Sequence, residues 1–240
     1  MIKESARVIE KINGNAVAVF TDGDRTAWAR NAAEYGIGLT YIRNAFCNCE
    51  MSTVLYGITS YLKIKKKFGQ NGEKHRDNVE ILELFYSNLN KAGIGKVDEM
   101  EQMAYYYISN NIIKSTWEII SSFDNRFLVS CNGSSVANAA NRIFKFNDFK
   151  SNRDIFDQNG LITGIQVDIP DGEAKARYMF NTLSKYGIEL KNVIYIGDGE
   201  TDIPALNMVG FPIASPFAIE AVKAASHYVL KDKMTICIRR

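Results

Sequence analysis

Short apolar runs that alternate with helical patterns constrain the fold of this chain more than any other feature. The runs at 127–131 (FLVSC), 193–197 (VIYIG) and 211–214 (FPIA) are nearly continuous apolar stretches. Strands of this kind are typical of parallel sheets that helices cover on both faces. Helical patterns occur at 134–142 and at 172–186, where Gly187 ends the helix. The second half of the chain is therefore predicted to form an α/β core.

A helical region separates this half from one further strand near the amino terminus. Residues 15–21 (NAVAVFT) read as a buried strand, whereas residues 27–125 contain apolar residues at helical spacing and no proline. Because the first strand must join the later ones, we expect a core of residues 1–26 and 126–240, interrupted by an α-helical cap at 27–125. Smaller predicted elements are an alternating strand at 162–169, helices at 201–209 and from Ser215-Pro216, an edge strand at 227–230, and capping boxes at Asp98-x-x-Glu101 and Ser115-x-x-Glu118.

The charge balance of the chain argues against two classes of partner. The sequence has 29 Lys and Arg against 27 Asp and Glu, a net charge of +2, which is too small to predict binding to nucleic acid or to a membrane surface. The basic stretch from Lys63 to Arg76 is interpreted as a solvated surface. No apolar run approaches the roughly 20 residues of a membrane span, and no secretory signal is evident. We expect a cytoplasmic protein with a small-molecule partner.

Six polar residues are predicted to meet at one edge of the sheet, because ligands of open α/β sheets bind beyond the carboxyl ends of the strands. They are Asp22 and Asp24 after the first strand, Ser130 after the second, Lys175 in the first turn of a helix, and Asp198 and Asp202 after the VIYIG strand. A helix amino terminus favours an anion, and carboxylate oxygens suit Mg²⁺. One of the paired carboxylates can act as a nucleophile while the next handles a proton.

Each of these signals is weak when it is taken alone. An Asp-x-Asp pair after a strand is more often a turn with a helix cap, and Gly-Asp-Gly is mostly a turn. A single serine at a strand end or a single lysine at a helix start is usually structural or solvated. The order of the four signals, and their placement at the same edge of the predicted sheet, distinguish this chain from such accidental matches.

The motifs resemble, in chain order, those of the haloacid dehalogenase-like hydrolase superfamily. They are Asp22-x-Asp24-x-Thr26, the strand that ends in Ser130, Lys175, and Gly197-Asp198-Gly199-x-x-Asp202. The segments ANRIFKFND, GLITGIQVDI, DGEAKARYMF and VIYIGDGETDIPAL are similar to the phosphoserine phosphatase-like branch. The resemblance covers residues 15–27 and 127–230. It implies a Rossmann-like parallel sheet core with helices on both faces and an inserted α-helical cap.

The resemblance also implies a role for each residue in a phosphatase of small phosphomonoesters. Asp22 would be the nucleophile that forms an aspartyl-phosphate, and Asp24 the general acid and base. Mg²⁺ would lie between the Asp22 carboxylate, the Asp24 backbone carbonyl and Asp198. Asp202 would be a further metal ligand or would orient one. Thr26, Ser130 and Lys175 would bind the phosphoryl group of a small phosphorylated metabolite.

Three departures from the family pattern leave the substrate and the reaction open. Cys131-Asn132-Gly133 stands where a glycine pair is common, Arg25 replaces a small residue, and no acidic residue follows Thr26 to hold a substrate amine. Phosphoserine is therefore one candidate among several. A phosphotransferase or phosphomutase would use the same intermediate, and a silent domain that binds an anion or a partner is a third interpretation. In the predicted cap, Trp28 is the aromatic residue expected at the hinge.

Overall fold

The computed structural model describes residues 4–12, 14–47 and 75–238. The predicted basic stretch therefore lies outside the described residues between Lys63 and Lys74. The elements of the first half are α1 (Glu4–Ile12), β1 (Ala18–Thr21), a π-helical segment (Ala33–Gly38), α2 (Leu39–Cys47), α3 (His75–Lys91), α4 (Val97–Asn110), β2 (Ile112–Ile113) and α5 (Lys114–Ile120). In the part of the chain that the structure describes, no helix has the length and apolar character that a membrane crossing requires.

The second half alternates strands and helices, as its apolar runs predict. Its elements are β3 (Asn125–Val129), α6 (Ser134–Phe144), β4 (Asp148–Lys150), β5 (Arg153–Phe156), β6 (Ile162–Gln166), α7 (Gly172–Tyr186), a 3₁₀ turn (Leu190–Asn192), β7 (Val193–Gly197), a 3₁₀ turn (Glu200–Asp202), α8 (Ile203–Leu206), β8 (Phe211–Ala214), α9 (Glu220–Ala224), β9 (Tyr228–Val229) and β10 (Thr235–Ile236).

A six-stranded parallel sheet in the order β4-β3-β1-β7-β8-β9 forms the centre of the molecule. β1 lies between β3 and β7, so the first strand joins the later ones across the helical region, as predicted. The predicted edge strand is confirmed as β9. The α/β fold with a Rossmann-like parallel sheet is confirmed, and the bounds of α7, β7 and β8 agree with those predicted.

The sheet is covered on both faces, which explains why its strands are apolar throughout. In β1, Val19 belongs to a core cluster on one face, whereas Ala18 and Phe20 belong to a second cluster on the other. Phe20 stacks on Phe127 of the neighbouring strand, with ring centroids 4.7 Å apart. Burial of both faces removes any polar side from the central strands and produces the continuous apolar runs.

The described helices between β1 and β3 contact the core at several places. α4 packs against α6, and α5 packs against α1. From α3, the Asn90 amide donates a hydrogen bond of 2.8 Å to the backbone carbonyl of Ile162 in β6. The strand β2 pairs antiparallel with β10 near the carboxyl terminus.

Several local predictions are wrong because side chains serve distant contacts. Ser215 does not start a helix: its hydroxyl donates to the Arg25 carbonyl, and α9 begins only at Glu220. Neither capping box forms, since α4 is preceded by Lys96 without a side-chain cap, and the Ser115 hydroxyl donates to the Asp232 carbonyl. The short strand β4 and the hairpin of β5 and β6 were not predicted as such.

Candidate active site

Three adjacent strands deliver the predicted site residues to one edge of the sheet. β1, β3 and β7 run parallel and in register, so that Thr21 lies beside both Leu128 and Ile196. Asp22, Ser130 and Asp198 follow these strands directly, and all three side chains are buried. The prediction that these residues meet at the carboxyl ends of the strands therefore holds in the structure.

Lys175 bonds to a carboxylate after β1 and to another in the loop after β7. It lies in the first turn of α7, it is 2% exposed, and its ammonium group donates to Asp22 Oδ1 and to Asp202 Oδ1 at 2.8 Å each. Burial alone lowers the pKa of Lys175, but the two carboxylates outweigh it and hold the pKa well above its ordinary value. The lysine is thus a fixed positive charge rather than a proton carrier.

Asp202 uses its whole hydrogen-bonding capacity within the protein. Oδ1 accepts from Lys175 and from the Tyr195 hydroxyl at 2.8 Å each, and Oδ2 accepts from the backbone N–H groups of Asp198 and Gly199 at 3.0 and 3.1 Å. A carboxylate has about four lone-pair sites, and all are taken. A Cβ on Gly197 would lie 2.5 Å from the Asp202 Cβ, so this close approach requires glycine. Asp202 therefore braces the loop that carries Asp198.

Asp198 is held by one hydroxyl and one guanidinium group. Its Oδ1 accepts from the Thr26 hydroxyl at 3.1 Å, and its Oδ2 lies 3.2 Å from Arg25 Nε. Burial, followed by repulsion from Asp22 and Asp202, raises the pKa of Asp198 well above its ordinary value. Thr26 is completely buried, and in this arrangement its hydroxyl hydrogen points to Asp198.

Asp22 keeps one oxygen uncommitted. Among the described residues, Lys175 alone bonds to its carboxylate, through Oδ1. Burial raises the pKa of Asp22 to about 7, although the charge of Lys175 opposes the shift. Asp22 is therefore a buried carboxylate at a strand end with one oxygen that no described residue occupies.

Asp24 is fixed by three donors. Its Oδ1 accepts from the Trp28 indole N–H and from the Ala32 backbone N–H, the latter at 2.9 Å, while its Oδ2 accepts from the Asn132 amide at 3.0 Å. Burial raises the pKa of Asp24, and these three hydrogen bonds oppose the shift. Trp28 is completely buried, so this residue positions Asp24 and does not line an open pocket.

The donor set fits a divalent cation. Asp22, Asp198 and Asp202 each place a carboxylate oxygen within 4.8 Å of the others, and Asp22 and Asp198 are the two of them that are not saturated by donors from the described residues. Together with Asp24 they make four carboxylates, against which the described residues set the two cations Lys175 and Arg25. Burial is the main cause of the raised pKa values of Asp22 and Asp198, and repulsion from the neighbouring carboxylates adds to it. Hard oxygen ligands with two uncompensated charges match Mg²⁺.

Sequence reasoning missed three contributors to the site. Tyr195 lies inside an apolar strand and gave no signal of its bond to Asp202. Arg25 was visible only as an unusual residue, and its positive φ of 58° shows a local strain that the Ser215 bond to its carbonyl sustains. Asn132 likewise stood out only as a departure from a glycine pair. Their partners are all distant in the chain or hidden in regular structure.

Comparison with known proteins agrees with this site. Residues 168–235 match the sequence profile of the haloacid dehalogenase-like hydrolase family. The chain is 32% identical over 68 residues to a phosphoserine phosphatase of Haemophilus influenzae, which is 28% of this chain and 22% of that protein. It is 36% identical over 61 residues to a phosphoserine phosphatase of a Polaromonas species, covering 23% of this chain and 26% of that one. The matches thus span about a quarter of these relatives' length.

The fold is similar over nearly the whole chain to solved structures of the same group. A substrate-bound phosphoserine phosphatase complex superposes with a TM-score of 0.67 at 15% identity, covering 91% of this chain and 94% of that one. These similarities in sequence and in fold confirm the predicted resemblance to the haloacid dehalogenase-like hydrolases and to their phosphoserine phosphatase-like branch.

Proposed function

We propose that this chain, which resembles the haloacid dehalogenase-like hydrolases, is a Mg²⁺-dependent phosphatase of small phosphomonoesters. One observation supports the proposal most strongly. Asp22 directly follows a central strand, and none of the described residues bonds to one of its carboxylate oxygens. Lys175 bonds to the other oxygen, and Asn132 holds both Asp24 and Ser130. A site that only bound an anion would not need two carboxylates beside the bound charge.

In the first step, Asp22 attacks phosphorus. A bond forms between an Asp22 carboxylate oxygen and phosphorus, and the ester bond between phosphorus and the leaving oxygen breaks. Asp24 gives its proton to that oxygen, so that an alcohol leaves and an aspartyl-phosphate remains on Asp22. The raised pKa of Asp24 favours its carrying a proton at the start of this step.

In the second step, water hydrolyses the aspartyl-phosphate. Asp24, now ionised, takes a proton from the water as the water oxygen bonds to phosphorus. The bond between phosphorus and Asp22 breaks, which releases inorganic phosphate and restores the Asp22 carboxylate and the protonated Asp24. One residue therefore serves as acid and then as base.

Asp22, Asp198 and the Asp24 backbone carbonyl are the groups proposed to hold Mg²⁺. When bound, the ion neutralises charge between the anionic nucleophile and the anionic ester. Asp202 is assigned a supporting role, because its oxygens are already saturated by four donors. Thr26, which the family resemblance places at the phosphate, is assigned instead to orienting Asp198.

Phosphoryl binding is assigned to Ser130 and Lys175. The lysine already balances the Asp22 carboxylate, and it would share that positive charge with phosphoryl oxygens that approach Asp22. The Ser130 hydroxyl accepts bonds only from Asn132 among the described residues, and thus retains its hydrogen for the substrate.

We also propose that residues 27–125 form a cap over this edge, which admits small esters and disfavours phosphoproteins. The bond from Trp28 to Asp24 supports this idea, since it connects that region directly to a site residue. The bond from Asn90 to Ile162 connects α3 to the core at β6. The relatives' names make phosphoserine the first substrate to test. The lack of an acidic residue after Thr26 widens the choice to other small esters.

The experiment is a phosphate-release assay on O-phosphoserine, O-phosphothreonine, phosphoglycerate, glycerol phosphate, p-nitrophenyl phosphate and one folded phosphoprotein, with and without Mg²⁺. We expect metal-dependent release from at least one small ester and little from the phosphoprotein. Product analysis should find free phosphate rather than a new phosphate ester. Transfer to an acceptor hydroxyl, or turnover of the phosphoprotein alone, would contradict the proposal.

A further inference from the structure

Asn132 occupies a singular position between two groups of the site. It follows Ser130 by two residues, it is 5% exposed, and its side-chain amide lies between the Ser130 hydroxyl and the Asp24 carboxylate. Both amide hydrogens are used: Nδ2 donates to Asp24 Oδ2 at 3.0 Å and to Ser130 Oγ at 3.2 Å. The reversed amide would set its oxygen against a carboxylate, so these contacts determine its orientation.

The contact to Asp24 decides which oxygen can carry a proton. Asp24 Oδ1 already accepts two hydrogen bonds, from Trp28 and from Ala32. Oδ2 accepts one, from Asn132. A carboxylate has about two lone-pair sites on each oxygen, so a single site remains, and it is on Oδ2. The direction of that site depends on the bond from Asn132.

The contact to Ser130 decides where the serine hydrogen points. Ser130 Oγ accepts from the Asn132 amide at 3.2 Å and from the Asn132 backbone N–H at 3.3 Å. A hydroxyl oxygen has two lone pairs, and both are then occupied. The hydroxyl hydrogen is left to donate away from Asn132, toward a bound phosphoryl oxygen.

We infer that Asn132 is a positioning residue, which aims the proton of Asp24 Oδ2 at the leaving oxygen and the hydroxyl of Ser130 at the phosphoryl group. The inference rests on the proposed function and deepens it. If the inference holds, the loss of activity on removing the Asn132 amide depends on how basic the leaving group of the ester is. An alkoxide is a strongly basic leaving group, so an alkyl ester needs the proton from Asp24. p-Nitrophenolate is weakly basic and leaves readily without a proton.

The test compares Asn132→Ala with the wild-type chain on two esters, the best alkyl ester of the panel above and p-nitrophenyl phosphate. The rate of alcohol release in a single turnover isolates the first step. We expect that rate to fall about 100-fold for the alkyl ester and less than about 5-fold for the aryl ester. KM should rise by a similar factor for both, since both present the same phosphoryl group to Ser130.

Asn152→Ala is the matched control. Asn152 is completely buried, and its amide donates to the Cys131 carbonyl and accepts from the N–H groups of Asp168 and Ile169. It holds the same loop without touching Asp24 or Ser130. We expect Asn152→Ala to lower the thermal unfolding temperature and to change the rates of alcohol release from both esters by the same factor. Should Asn132→Ala fail to fold, Asn132→Leu keeps a similar side-chain volume, removes both donors and adds no charge beside Asp24.

A second arm tests the route through Asp24. In an Asp24→Asn background the alkyl ester has already lost its proton donor, so adding Asn132→Ala should leave the alkyl-to-aryl rate ratio unchanged. Equal losses for both esters in Asn132→Ala, or a further change of the ratio in the double variant, would overturn the inference. If the wild-type chain released alcohol from neither ester, the proposed function itself would fail, which is a distinguishable result.

Discussion

Two buried aspartates, Asp22 and Asp202, bond to Lys175 at the same distance but differ in how many other donors they receive. Lys175 donates to Asp22 and to Asp202 at 2.8 Å each. Asp202, in the loop after β7, receives three further bonds, from Tyr195 and from two backbone N–H groups. Asp22, after β1, receives no other side-chain bond from the described residues, and burial raises its pKa to about 7.

The difference shows how one residue type yields two kinds of chemistry. Two side-chain donors and two backbone donors saturate Asp202, and the backbone donors make it part of the loop structure. Asp22 is left with a free oxygen in a buried place, which is costly for a carboxylate and useful for a nucleophile. We therefore expect the two positions to separate activity from stability when each is changed in the same way.

The largest expected effect is on activity, in Asp22→Asn. An amide oxygen is a poor nucleophile, so phosphate release should fall at least about 10³-fold, as expected when a covalent step is removed. Lys175 keeps Asp202 as a partner, and the folded state should persist. Phosphate release on the best ester of the panel measures the loss, and circular dichroism checks the fold. Activity equal to wild type would remove Asp22 from the mechanism.

The second effect is on stability, in Asp202→Asn. The amide nitrogen would face donors that now bond to a carboxylate, and a buried ion pair would lose one partner. We expect the free energy of unfolding to fall by about 3–5 kcal/mol, measured by urea denaturation. Asp22→Asn is the matched control and should cost clearly less. Equal stability losses in the two variants would contradict the contrast between a saturated and a free carboxylate.

The smallest effect is the stabilisation that Mg²⁺ provides. Binding at about 100 times Kd should add about 2.7 kcal/mol to the free energy of unfolding of the wild-type chain. Asp198→Asn, which removes one proposed ligand, should reduce that gain strongly. Mg²⁺-free buffer with a chelator serves as the baseline. If Mg²⁺ stabilised Asp22→Asn as much as the wild-type chain but did not stabilise Asp202→Asn, Asp202 rather than Asp22 would be the metal ligand, which would contradict the assigned roles.

The sequence predicted the sheet and the meeting of its polar ends because both depend on local signals. Apolar runs mark β7 and β8. Gly187 marks the end of α7, where its φ of 66° lies in the left-handed region that favours glycine. Once the strands are known, parallel order brings their carboxyl ends to one edge. Asp22, Asp198 and Lys175 could therefore be placed together from the sequence.

Contacts between distant residues could not be predicted in the same way. The Asn132 bond to Asp24 joins positions 108 residues apart, and the Ser215 bond to Arg25 joins positions 190 residues apart. Ser215 shows why a local rule fails: its hydroxyl had a second partner in the folded chain, so the helix start moved to Glu220. The assignment of Thr26 to Asp198 is of the same kind, since only the fold brings the two together.

The most direct test of the account is whether Asp22 becomes phosphorylated. In Asp24→Asn the base for the second step is missing, so the intermediate should accumulate on an ester with a good leaving group. Acid quenching of this variant with p-nitrophenyl phosphate and Mg²⁺, followed by peptide mass spectrometry, should find one phosphoryl group on Asp22 and none in the Asp22→Asn, Asp24→Asn double variant. A phosphoryl group on any other residue, or its persistence in the double variant, would contradict the account.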